Sequence, residues 1–278
     1  IMNYNMLIDS YYPSLSKSEK KVANLIKKQG EKFIYQSIQE VAQDAKVGEA
    51  TVLRFCRTIG FDGFRDMKLH IAKENTPIRA KRKDNYVEEI VRNFEDSIQE
   101  TYSAIVQENL EKVASLIKKS DRVFLFGIGA SANAVFDMCS RLLRYGKTVY
   151  TVTDSHYQMM NSAILDEKDL VIAFSISGVT EDIIDSIELA KKNNASLVVI
   201  TNHILSPLAS LGDICLLTAG KESPIDGGSL TGRVSQMLVT DLLCTTYALI
   251  DEDMSELMRE KTANSVLRKS VEYKKKKK

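Results

Sequence analysis

A two-part fold is predicted: an all-α head followed by an α/β body built on a five-stranded parallel sheet. Three observations carry this reading. Two helix starts of the S-x-x-E form and a third amphipathic helix crowd the first 60 residues. Five short apolar runs without a polar alternate face recur after residue 122, with helical patterns between them, as parallel strands covered on both faces require. Between the two regions, Asn75–Asp84 has no apolar periodicity and contains a proline and a basic run. The expected boundaries are 1–75 for the head, 76–86 for a linker and 87–270 for the body.

Composition limits what such a chain can be. With 44% hydrophobic and 27% charged residues, the 278-residue chain is neither disordered nor fibrous. No run approaches the roughly 18 apolar residues of a membrane span, and Ile1–Tyr12 has no secretion-signal pattern, so no membrane partner is expected. Cys56, Cys139, Cys215 and Cys244 stand far apart in apolar segments, which reads as buried free thiols in a cytoplasmic protein and not a disulfide frame or zinc site.

The formal charge of +1 seems to argue against a nucleic-acid partner, but it is an average over unlike halves. Residues 1–83 carry 16 Lys+Arg against 9 Asp+Glu, net +7, whereas residues 84–278 carry 22 against 28, net −6. The terminal run Lys274–Lys278 reads as a solvated end in preference to a phosphate- or nucleic-acid-seeking tail.

In the head, Ser16-Lys-Ser-Glu19 starts a helix whose buried face is Val22, Ala23, Leu25 and Ile26. Ser37-Ile-Gln-Glu40 starts a shorter one, ending at the turn Lys46-Val47-Gly48. The next helix, from Glu49, buries Val52, Phe55, Cys56 and Ile59 and stops at Gly60. Its outward residues are then Thr51, Arg54, Arg57 and Thr58. Two short helices joined by a three-residue turn make a helix-turn-helix, whose second helix reads base edges through arginine. Hydroxyls such as Ser37, Thr51 and Thr58 suit phosphate contacts. Phe61 and Phe64 plug the core ahead of a fourth helix.

In the body, Tyr86–Ser120 reads as one long connecting helix whose apolar stripe serves either the core or a dimer seam. The strands are Val123–Phe126, Thr148–Val152, Leu170–Phe174, Leu197–Ile200 and Ile214–Leu217. In such a sheet ligands bind beyond the carboxyl ends of the strands. The first strand is followed by Gly127-Ile-Gly129-Ala-Ser131-Ala132, and the third by Ser175-Ile176-Ser177-Gly178-Val-Thr180, each opening a helix. Glycine permits close backbone approach, and hydroxyls with helix N-terminal N–H groups donate to one anion, which suits a phosphate. Neither loop holds a lysine, and neither is a Walker loop. The rival is a dinucleotide: Gly127-x-Gly129-x-x-Ala132 fits that fingerprint, and Asp154 stands where a ribose-binding acid would. A second hydroxyl-rich loop at the third strand favours the sugar phosphate over NAD.

The segment from Leu15–Ala23 through Ala50–Arg57 to Gly60–Phe64 resembles the DNA-binding domain of RpiR-family transcriptional regulators. Residues from about 120 to 250 look like a sugar isomerase (SIS) domain, with Ser175–Thr180 matching its S-x-S-G-x-T phosphate loop. The resemblance implies a regulator of carbohydrate or amino-sugar genes, more often a repressor, that binds operator DNA as a homodimer or homotetramer and responds to a phosphorylated sugar. It implies phosphate contacts at Ser131, Ser175, Ile176, Ser177 and Thr180, sugar contacts at His156 and Glu222, and base reading by Arg54 and Arg57. Gly48 departs from the family, which often has Ser at this cap; Gly is nearly as good there. No cofactor or metal is expected. An isomerase would need a tuned base, for which only His156 and Glu222 present themselves; the fused DNA reader makes turnover superfluous, so no catalytic residue is assigned.

Overall fold

A computed structural model describes residues 4–75, 86–220 and 230–267. All but Tyr86 of the expected linker, Glu222 and the Lys274–Lys278 run lie outside these residues.

The head begins with a helix the sequence reading did not anticipate, α1 (Tyr4–Tyr11), which buries Tyr4 and Ile8. Then α2 (Lys17–Gln29) and α3 (Ile38–Ala45) start at the two expected capping boxes: the Ser16 and Ser37 hydroxyls accept from the backbone N–H of Glu19 and Glu40, whose carboxylates accept from the Ser16 and Ser37 N–H groups. Lys46, in the left-handed region at φ 54°, closes α3, and α4 (Glu49–Thr58) opens from Gly48 without a side-chain cap. Gly60, at φ +98°, lets the chain leave α4 towards α5 (Phe64–Asn75). Val22, Ile26, Phe33, Val41, Ala42, Val52, Phe55, Ile59, Met67 and Ile71 make one core, edged by Phe61 and by Phe64, whose ring meets Phe33 edge-on at 5.5 Å.

The expected single helix over 86–120 is two: α6 (Tyr86–Ala104) and α7 (Gln107–Lys119). Ile105 and Val106 form the break, with Val106 extended at φ −108°, ψ 107°. Adjacent β-branched residues are poor helix interior. The break also separates two fates of the apolar stripe. Leu110, Val113, Ala114 and Ile117 of α7 enter the core, whereas Val87, Ile90, Val91, Ile98 and Tyr102 of α6 are exposed.

The sheet follows: β1 (Arg122–Gly127), α8 (Ala132–Arg144), β2 (Tyr150–Val152), α9 (Ser155–Ser162), β3 (Asp169–Phe174), α10 (Glu181–Lys192), β4 (Ser196–Thr201), α11 (Pro207–Leu211), β5 (Ile214–Leu217), α12 (Leu230–Leu249) and α13 (Glu252–Leu267). All strand pairs are parallel, in the order β2-β1-β3-β4-β5. β2 is shorter than the expected Thr148–Val152 and exposes Tyr150, because it is an edge strand. Val123, Leu125, Ile172, Phe174, Val198 and Ile200 face α7, α8 and α12, while Phe124, Phe126, Val171, Ala173, Leu197 and Val199 face the α10 side. The cysteines are free, but Cys139 and Cys215 are only half-buried, contrary to expectation. Burial pushes the thiols of Cys56 and Cys244 up to about 12. Among the described residues no helix is long and apolar enough to cross a membrane.

Candidate effector site and DNA-reading face

On α4, Arg54 and Arg57 are exposed and Thr51 is half-buried beside them. The Arg54 side chain keeps 60% of its surface, with its Nε 3.5 Å from Glu19 Oε1. Two expected phosphate contacts sit differently. Thr58 does not point outward: its hydroxyl lies 3.0 Å from both Glu19 Oε1 and the Arg54 carbonyl, at the end of the helix where α2 packs. Ser37 is 8% exposed and its hydroxyl is engaged in the α3 cap. Hydrogen bonding from Ser16, then from Thr58, together with the Arg54 charge, holds the Glu19 carboxyl below the ordinary range despite burial. That keeps a carboxylate under Arg54 and orients it.

The strand order has its switch between β1 and β3, whose carboxyl ends are neighbours through Gly127 and Phe174. The first loop turns through Gly129 at φ +60° and a short 3-10 segment to Ser131, which is 5% exposed. In the second loop the buried Ser175 Oγ accepts from the Gly178 N–H at 3.1 Å and lies 3.3 Å from Thr180 Oγ1. Ser177 is half-buried, and Thr180 stands at the start of α10 with no side-chain cap bond of its own. Gly178 is required twice over. Its φ is +65°, and a β-carbon there would overlap Ser206 Oγ and sit 2.5 Å from Ser206 Cβ and 2.9 Å from Thr201 Oγ1. Ile176 is an anchor and not a polar lining: its carbonyl accepts from the Asn202 N–H at 3.0 Å and from the Thr201 hydroxyl at 3.2 Å. Its side chain packs where a β-carbon on Gly232 would be.

His156 is exposed on α9 and has no hydrogen-bond partner among the described residues. Asp154, the residue a ribose would need, instead caps α9 by accepting from the Tyr157 N–H at 3.0 Å. Arg233 keeps a buried Nε with no hydrogen bond among the described residues.

One contact escaped sequence reasoning. The fully buried Gln236 of α12 donates from Nε2 to Ser131 Oγ at 3.1 Å. A hydroxyl that accepts this bond turns its own hydrogen away from Gln236, which suits donation to an anion. The readable signal was a polar row, Arg233, Gln236 and Thr240, at helical spacing along α12. Gln236→Met is expected to weaken phosphate-ester binding by about two- to tenfold, the order of one lost neutral hydrogen bond. Calorimetric titration should find this loss absent in a Ser131→Ala background.

The family model described as "Helix-turn-helix domain, rpiR family" matches residues 2–77, and the SIS domain model matches residues 116–246. An uncharacterized HTH-type transcriptional regulator of Haemophilus influenzae is 33% identical over 95% of this chain and 96% of its own length. The chain belongs to the RpiR family of helix-turn-helix transcriptional regulators. Among other relatives of this RpiR-family chain, Escherichia coli HexR is 30% identical, over 89% of each chain. The solved structure of Vibrio vulnificus NanR complexed with ManNAc-6P is 26% identical and superposes with a TM-score of 0.87, covering 97% of this chain and 100% of that one.

Proposed function

We propose that this RpiR-family protein binds a phosphorylated sugar between residues 127–132 and 175–180 and thereby alters its hold on operator DNA. The observation that carries the reading is the juxtaposition of Ser131, Ser175, Ser177 and Thr180 at the switch between β1 and β3, with two helix starts facing the same crevice. The complex of NanR with ManNAc-6P supports an amino-sugar phosphate as the first class to test. His156 and Glu222 are assigned to the sugar hydroxyls. Arg54 and Arg57 read base edges, and Thr51 meets a phosphate. Thr58, whose hydroxyl donates within the head, reaches a phosphate only by re-using that hydrogen, whereas the Ser37 hydroxyl accepts in the α3 cap and keeps its own hydrogen to donate. The head spans 1–75, the linker 76–86 and the body 87–270. The exposed apolar stripe of α6 supports a homodimer that covers it. The protein acts by binding without turnover, and release from DNA on effector binding makes it a repressor.

A thermal-shift series with ManNAc-6P, glucosamine 6-phosphate, ribose 5-phosphate and NAD tests this. A ligand at about 100 times its Kd adds roughly 2.7 kcal/mol of stability. One of the sugar phosphates is expected to shift the midpoint, and Ser177→Ala to abolish the shift. A shift with NAD alone, or product formation over many turnovers, overturns the reading.

A further inference from the structure

The head meets the body at a polar contact between α3 and the end of β4. His203 Nδ1 lies 3.0 Å from Glu40 Oε1 and 3.1 Å from Oε2, with side-chain exposures of 14% and 28%. A cleft of about 370 Å³ flanks the pair, walled by Tyr35, Gln36 and Asp44 of the head and Asn202 and Thr218 of the body. Both partners are already fixed on their own side. Glu40 belongs to the capping box that starts α3, accepting from the Ser37 N–H at 2.7 Å. Burial would raise its carboxyl, but hydrogen bonds from His203 and Ser37 outweigh that and lower it, so Glu40 meets His203 as a carboxylate. His203 stands two residues after the end of β4, and its N–H donates to Thr201 Oγ1 at 3.4 Å. Thr201 and Asn202 both donate to the Ile176 carbonyl, and the Leu208 N–H donates to that of Gly178 at 3.2 Å, so segment 201–208 is bonded to the Ser175–Thr180 loop at three points. Asn202 also reaches the Gly220 carbonyl at 3.2 Å.

We propose that the surface formed by Asn202, His203 and Thr218–Gly220 is the docking site for the first turn of α3, and that the Glu40–His203 pair couples the Ser175–Thr180 loop to the DNA-reading helix. A change in the loop moves Ile176 and Gly178, these carry segment 201–208, and His203 carries Glu40. Because α3 packs on α4 across a three-residue turn, the reading helix follows α3. The whole-chain superposition on NanR supports this placement of head on body, since both domains must align to cover 97% of the chain. The coupling, though not the docking, rests on the sugar-phosphate reading above.

The test has two arms, using the full chain with His203→Ala, Glu40→Ala and both together. In the first, without ligand, hydrogen exchange of residues 202–206 is expected to quicken by the same factor in all three variants, and that of the α3 first turn to quicken in His203→Ala and further in the two variants that lose the Glu40 cap. Unchanged exchange in His203→Ala overturns the docking. In the second, affinity for a duplex selected from a random library is measured with and without ManNAc-6P. The ratio of the two affinities is expected to shrink at least fivefold in each single variant and no further in the double. An undiminished ratio overturns the coupling. If ManNAc-6P and the other sugar phosphates leave the wild-type chain unshifted, the effector reading fails while the exchange arm still decides the docking. Glu40→Gln, which can retain the S-x-x-Q cap, separates loss of docking from fraying of α3.

Discussion

Arg54→Ala is expected to lower operator affinity by about 1–3 kcal/mol, roughly 5- to 150-fold, and to relax discrimination at one base position. The effect exceeds that of an ordinary surface arginine because Arg54 is held in place. Glu19, kept ionised by its bonds to Ser16 and Thr58, stands 3.5 Å from the Arg54 Nε while the rest of the side chain remains open to solvent. Less rotamer freedom is then lost when the guanidinium meets a base. Since Arg54 is exposed and outside the core, folding should survive the change. Fluorescence anisotropy on matched and single-mismatch duplexes is the measurement. Equal weakening on all sequences, with a salt dependence reduced by about one unit of slope, would assign Arg54 to a phosphate instead.

Gly178→Ala is expected to abolish the thermal shift given by sugar phosphate. Two costs coincide at this position. The backbone sits at φ +65°, where an L-residue loses about 1–2 kcal/mol, and the new methyl overlaps Ser206. The loop must therefore open, taking with it the Ser175 Oγ that Gly178 now supports through its N–H. Adding Ser206→Gly removes the larger overlap, at the cost of the α11 cap, and leaves the Thr201 contact and the backbone strain, so partial recovery of the shift would show that the Ser206 overlap contributes. Full binding by Gly178→Ala alone would show that the loop geometry is not what holds the phosphate.

Much of the fold was legible because it is written locally. Ser16–Glu19 and Ser37–Glu40 announce their helices within four residues, and the strand runs announce a sheet buried on both faces. The α6–α7 break was missed because the apolar spacing continues across Ile105–Val106, and a β-branched pair breaks a helix only where packing on the sheet lets the chain turn. The two hydroxyl loops were visible as motifs, yet their adjacency follows from strand order. Thr58 was misplaced because helical periodicity sets a direction but not whether another helix meets it there. Gln236 with Ser131 and Glu40 with His203 are separated by 105 and 163 residues, beyond any local pattern.

The absence of lysine from both hydroxyl loops has a further consequence. A site that meets an anion with fixed dipoles and hydroxyl groups releases few counterions when it fills, whereas a basic head drawn to the phosphates of a duplex releases many. Ionic strength is therefore expected to act unequally on the two proposed sites: a rise in salt should loosen the head from DNA while leaving the crevice of the body nearly as receptive as before. A sensor built this way can report sugar phosphate through osmotic change, even as the DNA contact it governs varies with the medium.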